Sequence, residues 1–152
     1  MLGIVLLTGG QSLFAQEQTE KEQIRKLIES NRFRIDINRA VPMQGRSVNL
    51  TSTYSLELKG DSVISHLPYF GRAYSVPYGG GEGLRFEEAL TDLSLSFDKK
   101  GTAKLKFTAK TSEDRYTFNV QIFSNGSVTV NVNPVNRQGI TYHGRLITEQ
   151  KE

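Results

Sequence analysis

The sequence predicts a mainly β fold: a single antiparallel meander of about eight strands, curled into a sheet or partial barrel, with one N-terminal helix packed on it. Three observations predict it. Apolar and polar residues alternate with a period of two along most of the chain, turn residues recur at short intervals between the alternating runs, and one stretch near the start has helical spacing instead. A two-sheet β-sandwich would satisfy the same alternation and is the alternative.

The helical stretch is QEQTEKEQIRKLIESN. Thr19 stands three residues before Glu22, the spacing of a capping box, and Ile24, Leu27 and Ile28 form one narrow apolar stripe that must lie on something. The first strand follows at once, with Phe33, Ile35 and Ile37 alternating with Arg34, Asp36 and Asn38. Tyr54, Leu56 and Leu58 carry the next run up to Gly60-Asp61, a turn that sends Ser62 to Leu67 back as a hairpin partner. Thr91 to Asp98 places Leu93, Leu95 and Phe97 on one side, and after Lys99-Lys100-Gly101 the pattern resumes in Ala103, Leu105, Phe107 and Ala109. Beyond the polar corner Thr111 to Asp114 come Tyr116, Phe118, Val120 and Ile122, then Asn125-Gly126, then Val128, Val130 and Val132. Asn-Gly between alternating runs predicts a type I′ hairpin turn, in which both central residues take positive φ. A last strand runs through Ile140, Tyr142 and Leu146, and Gly144 on its inward side predicts close backbone approach or a bend.

Ends and composition set the remaining bounds. MLGIVLLTGGQSLFAQ carries no charge and has an apolar run from Leu2 to Leu7 followed by small and polar residues, which predicts a signal peptide over residues 1–15 cleaved after Ala15. No Lys or Arg precedes the apolar run, as though the start lay upstream, and Leu13 stands where a small residue is usual. A single β-rich domain is then expected over 16–148 and a frayed tail over 149–152, with the mature protein exported to the periplasm or exterior and lacking a transmembrane segment. The absence of cysteine excludes disulfides, thiolate metal sites, a thiol nucleophile and a lipid-modified cysteine. A net charge of +3 is too small for a nucleic-acid footprint.

No catalytic constellation emerges, and no cofactor or metal is expected. The two histidines, His66 and His143, sit in no metal-binding spacing. There is no Gly-x-Ser-x-Gly elbow, and Gly79 to Gly83 lacks the Gly-Lys-Ser/Thr ending of a phosphate loop. Glu87, Glu88 and Asp92 form an acidic group at an expected loop end, but adjacent residues of an extended chain point to opposite faces. Lys104, Lys106 and Lys110 share the outward side of one strand, either as a basic docking face or as protection of an edge strand against pairing.

The densest unusual segment is LPYFGRAYSVPYGGGEGLRF, residues 67–86, with five of the chain's aromatics and five of its 14 glycines. Pro68 and Pro77 argue against a central strand, and the glycines make the backbone costly to order. Tyr69, Phe70, Tyr74, Tyr78 and Phe86 either plug the open end of the sheet or line a ligand site there, with Arg72 offering a guanidinium to an anionic group. A shared arrangement puts Phe70 and Phe86 inward and the tyrosines toward the rim. The best functional expectation is a non-catalytic binding module for an apolar or glycan-like ligand. The alternatives are an envelope structural or interaction domain with no small ligand and, further off, a glycan-acting enzyme using the acidic group.

Several motifs carry a family resemblance: Val41-Pro42-Met43-Gln44-Gly45, Ser47-Val48-Asn49-Leu50, Tyr54 before Gly60-Asp61-Ser62, and above all Leu67-Pro68-Tyr69-Phe70-Gly71-Arg72-Ala73. Over roughly Ile24 to Leu146 the chain resembles an exported Bacteroidetes family catalogued as domain of unknown function 4251. The resemblance implies a β-rich periplasmic or surface protein and brings no activity, cofactor or catalytic residue. Family members often carry a lipoprotein cysteine after the signal, which this chain lacks. Asp61-Ser62-Val63 also looks like the short acceptor of periplasmic O-glycosylation in that phylum, which would place a glycan on Ser62.

Overall fold

A computed structural model describes residues 19–71 and 83–148. The expected signal peptide and tail lie outside these residues, as do Arg72, Tyr74 and Tyr78. Helix α1 spans 19–29. Eight strands follow: β1 (Arg32–Pro42), β2 (Val48–Lys59), β3 (Ser62–Leu67), β4 (Leu84–Phe97), β5 (Ala103–Lys110), β6 (Arg115–Ile122), β7 (Ser127–Pro134) and β8 (Ile140–Leu146). Each pairs antiparallel with the next, and β8 returns to β1 through Ile35 opposite Leu146 and Ile37 opposite Gly144. The meander is therefore a closed barrel, which corrects the expected open curl and excludes the sandwich. Closure satisfies both edges of the sheet at once.

Alternation builds the interior. In β5 to β8 nearly every second residue is buried, and Phe107, Phe118, Val130 and Tyr142 are all 0% exposed. At eight strands a barrel is just wide enough for its side chains to fill. Here Phe107 stacks on Phe118 with centroids 4.9 Å apart, and Phe86 stacks on Tyr116 at 5.0 Å. The outward residues are Lys, Arg, Ser, Thr, Asn and Gln, so the wall faces water, the inverse of a lipid-facing barrel. Gly144 is where β8 presses closest on β1: a Cβ there would overlap the Asp36 carbonyl oxygen, beside the register shift between Ile37 and Arg39.

Two features depart from simple repetition. β4 pairs with β3 through residues 84–89 and with β5 through 90–97, changing neighbours around a bulge where Asp92 takes φ 56°. The acidic residues expected at a loop end thus lie within a strand, with Glu87 exposed and Glu88 half-buried opposite Val63. The Asn125-Gly126 turn is not type I′. Among the described residues Asn125 is absent from the positive-φ set, Gly126 alone turns at φ 91°, and the Phe123 N–H donates to the Ser127 carbonyl at 2.8 Å. This is a type I turn completed by a glycine bulge. The β4–β5 turn repeats it, with Gly101 at φ 85° and the Asp98 N–H on the Thr102 carbonyl.

An up-and-down barrel has two distinct ends. The β2–β3, β4–β5 and β6–β7 turns share one end with α1, whose Ile24 and Ile28 are buried as the apolar stripe predicts. Asn31, at φ 57°, stops the helix and sends the chain into β1. Arg25 lies over the Phe97 ring at 4.1 Å, and a small cavity of 210 Å³ remains between α1, Phe97 and the Gly101 and Ser124 turns. The other end gathers the β1–β2, β3–β4, β5–β6 and β7–β8 connections.

Candidate functional site

The site sits at this second end and is built from four pieces of chain distant in sequence. Asp114 closes the β5–β6 turn with its side chain 1% exposed. Its Oδ1 accepts the backbone N–H groups of Arg115 at 2.7 Å, Val135 at 3.0 Å and Asn136 at 3.2 Å, and Asn136 also reaches Oδ2. One carboxylate thereby staples the β7–β8 loop to the β5–β6 turn. That loop then carries Arg137 inward.

Arg137 is 6% exposed, the burial expected of an arginine that is fully paired. It is not fully paired. Its Nε lies 4.0 Å from Asp114 Oδ2, beyond hydrogen-bonding distance, and among the described residues neither Nε nor Nη2 has a hydrogen-bond partner. The guanidinium lies over the Tyr69 ring, 4.9 Å from its centroid. A buried cation with unspent donors is costly unless something supplies acceptors.

Tyrosines frame it. The Tyr69 hydroxyl donates to the Gln138 carbonyl at 2.8 Å, and the Tyr142 hydroxyl donates to the Pro68 carbonyl at 2.6 Å, fixing the start of the β3–β4 connection across the barrel mouth. Burial pushes the Tyr142 phenol far above its ordinary range, with Tyr69 adding to the shift, and burial likewise raises Tyr116. Both phenols hold their protons at any physiological pH. The end therefore presents hydroxyls and a guanidinium with a stacked Phe86–Tyr116 floor.

The expected residues divide. Tyr69 and Phe86 both pack against the core, and Phe86 points inward as expected. Phe70 does not: it is 36% exposed, and Tyr69 takes the inward place, reversing the expected order because the Tyr69 hydroxyl has a carbonyl to satisfy inside. Phe70 joins Met43 and Val135 as exposed large apolar residues, all on connections at this same end. Lys104, Lys106 and Lys110 lie elsewhere, on the outer wall of β5, and β5 is paired on both sides, so they protect no edge. Ser62 begins β3 opposite Lys59 and Ala89. His66 packs against Tyr54 with centroids 5.4 Å apart, while His143 Nδ1 lies 3.4 Å from Thr129 Oγ1. Among the described residues no group of three His, Asp or Glu side chains is placed to hold a metal ion, and no helix is long and apolar enough to cross a membrane. The sequence reading missed Arg137, because Asn136-Arg137-Gln138-Gly139 has the composition of an ordinary solvated turn.

Residues 15–146 match the family model described as domain of unknown function (DUF4251). The chain belongs to that family. A crystal structure of a DUF4251 family protein from Bacteroides eggerthii DSM 20697 is similar to it, with a TM-score of 0.67 and 20% identity over 85% of this chain and 87% of that one. At that identity the likeness speaks for the fold. No curated protein matches the chain.

Proposed function

We propose that this DUF4251 protein is a non-catalytic binding module of the cell envelope, exported to the periplasm or exterior, whose ligand docks at the Arg137 end of the barrel. The ligand carries a carboxylate or similar oxygen-rich group for the guanidinium and a sugar-like or apolar body for the aromatic rings. The observation that supports this reading is Arg137 itself, 6% exposed with Nε and Nη2 lacking partners among the described residues. A guanidinium offers two parallel N–H groups in the geometry that carboxylates accept. Met43, Phe70 and Val135 add apolar surface around the same mouth. Non-catalytic fits a site in which Asp114 is engaged by backbone N–H groups and burial raises the Tyr116 and Tyr142 phenols further from neutrality.

Native mass spectrometry of the protein purified from its own cell envelope tests this. The expected result is a bound small molecule with an acidic group, lost in Arg137→Gln, while the variant melts at the wild-type temperature or above it because a buried unpaired charge has been removed. A ligand-free wild-type spectrum, or a ligand retained by Arg137→Gln, overturns the assignment. A marked fall in melting temperature for Arg137→Gln in the ligand-free state would show instead that the guanidinium holds the fold together.

A further inference from the structure

The outer wall formed by β5 to β8 contains five cationic side chains and not one Asp or Glu: Lys104, Lys106, Lys110, Arg115 and Arg145. The whole chain carries only +3, so the rest of the molecule is slightly net acidic and the excess of positive charge lies on this wall. The carboxylates near this wall are Asp98, Glu113 and Asp114 in the turns that bound it, and Asp36 of β1, which stands opposite Arg145 at its margin.

Register shows how the wall is laid out. Lys106 stands between Ser94 of β4 and Asn119 of β6, and the row continues through Asn131 of β7 to Thr141 of β8. Lys104 heads a parallel row through Gln121 and Thr129 to His143. Neighbouring strands lie about 4.8 Å apart, so each row is a straight polar rung of roughly 15–20 Å. The amides are held in place: Asn131 Nδ2 donates to Thr141 Oγ1 at 3.1 Å, and Asn133 Nδ2 donates to Asn131 Oδ1. At the far end Lys110 pairs directly with Arg115. Like charges opposed across a ladder destabilise a sheet, and an anion between them reverses the sign.

We infer that this wall binds an acidic polysaccharide, lying along the rungs with its carboxylate or sulfate groups on the lysines and its hydroxyls on the ordered Asn, Gln and Thr side chains. The other polyanions fit less well. Apart from the single imidazole of His143, β5 to β8 turn no aromatic or large aliphatic side chain outward, so there is no row of rings for stacking single-stranded bases and no apolar anchor for a lipid surface. A row of amides and hydroxyls beside cations matches a hydroxyl-rich acidic chain.

Affinity electrophoresis in gels containing polygalacturonate, with dextran as the neutral control, tests the inference. Polygalacturonate should retard the protein and dextran should not, with retardation falling steeply between low and moderate salt. The triple variant Lys104→Glu, Lys106→Glu, Lys110→Glu should lose about tenfold or more in affinity. Its melting temperature should stay near wild type, since all three positions are exposed. Asn131→Ala should weaken binding with every charge left in place, which mere ion attraction would not do. Arg137→Gln should bind the polymer normally, so this wall and the barrel mouth succeed or fail separately. Failure of polygalacturonate to retard the wild type, equal retardation of the triple variant, or tighter binding to duplex DNA or to phosphatidylglycerol vesicles would each overturn it.

Discussion

The two ends of this barrel are closed by opposite chemistry. At one end α1 lays Ile24 and Ile28 over the interior and, among the described residues, nothing charged is buried; at the other, Asp114, Arg137 and two tyrosine hydroxyls are sealed against Pro68, Gln138 and the β7–β8 loop. Apolar closure gains free energy from every carbon it removes from water and asks little of geometry. Polar closure must satisfy each donor and acceptor, and here it leaves two guanidinium nitrogens over. A protein that needed both mouths merely shut would have used the first solution twice. On the reading proposed above, the second mouth is left with donors for a ligand.

The comparison can be broken by mutation, beginning where the effect is largest. Asp114→Ala removes the acceptor of three backbone N–H groups and the nearest anion to Arg137, and should cost about 3–5 kcal/mol in urea denaturation. A cost below about 1 kcal/mol would mean that water substitutes for the carboxylate and the end is wetter than its burial implies. Ile28→Ala at the opposite end should cost about 2–4 kcal/mol through the cavity it leaves, with no change in ligand content by native mass spectrometry. If that variant also lost the ligand, the two ends would be coupled through the core.

Smaller changes sharpen the contrast. Tyr142→Phe keeps the ring but strands the Pro68 carbonyl, and should cost about 1–2 kcal/mol. Its functional mark should be weaker ligand retention, because the Tyr142 hydroxyl holds Pro68 at the same end of the barrel as Arg137. The mildest test lies at the helix end. Asp98 is held below its ordinary carboxylate value, first by the Thr102 N–H and then, against the opposing effect of burial, by the Lys100 N–H and the Lys104 and Lys100 charges. Its contribution is present above the unfolded value of about 4 and fades as pH falls through the folded one. The melting temperatures of wild type and Asp98→Asn should therefore differ at neutral pH and converge in acid. A gap that persists at low pH would assign the effect to turn geometry instead of charge.

How much of this was legible in the sequence follows the range of the interactions concerned. The strands through Ile35, Leu56, Leu105, Phe118, Val130 and Tyr142 announce themselves because alternation is a local property. Their extensions were harder to see. The first half of β2 carries only Val48 and Leu50 as apolar residues, and the first half of β4 puts Glu88 on the inward side, which interrupts the pattern. Closure was invisible for a different reason: the contact between Ile35 and Leu146 joins the two ends of the sheet, and nothing local distinguishes a curl from a ring. Gly144 was a partial exception, since a glycine in an apolar row hinted at backbone pressure that the structure locates at Asp36. At the candidate site Tyr69 and Phe86 could be picked out by composition. Arg137 could not, because its burial depends on Asp114 in the preceding hairpin and Tyr69 from the other side of the barrel.

An even number of strands running up and down brings the polypeptide back to where it began. Glu20, Gln23, Leu146 and Thr148 accordingly line one shared depression beside α1. The described chain therefore both enters and leaves the barrel at the helix-covered pole. The Arg137 end lies on the pole opposite to that shared entry and exit.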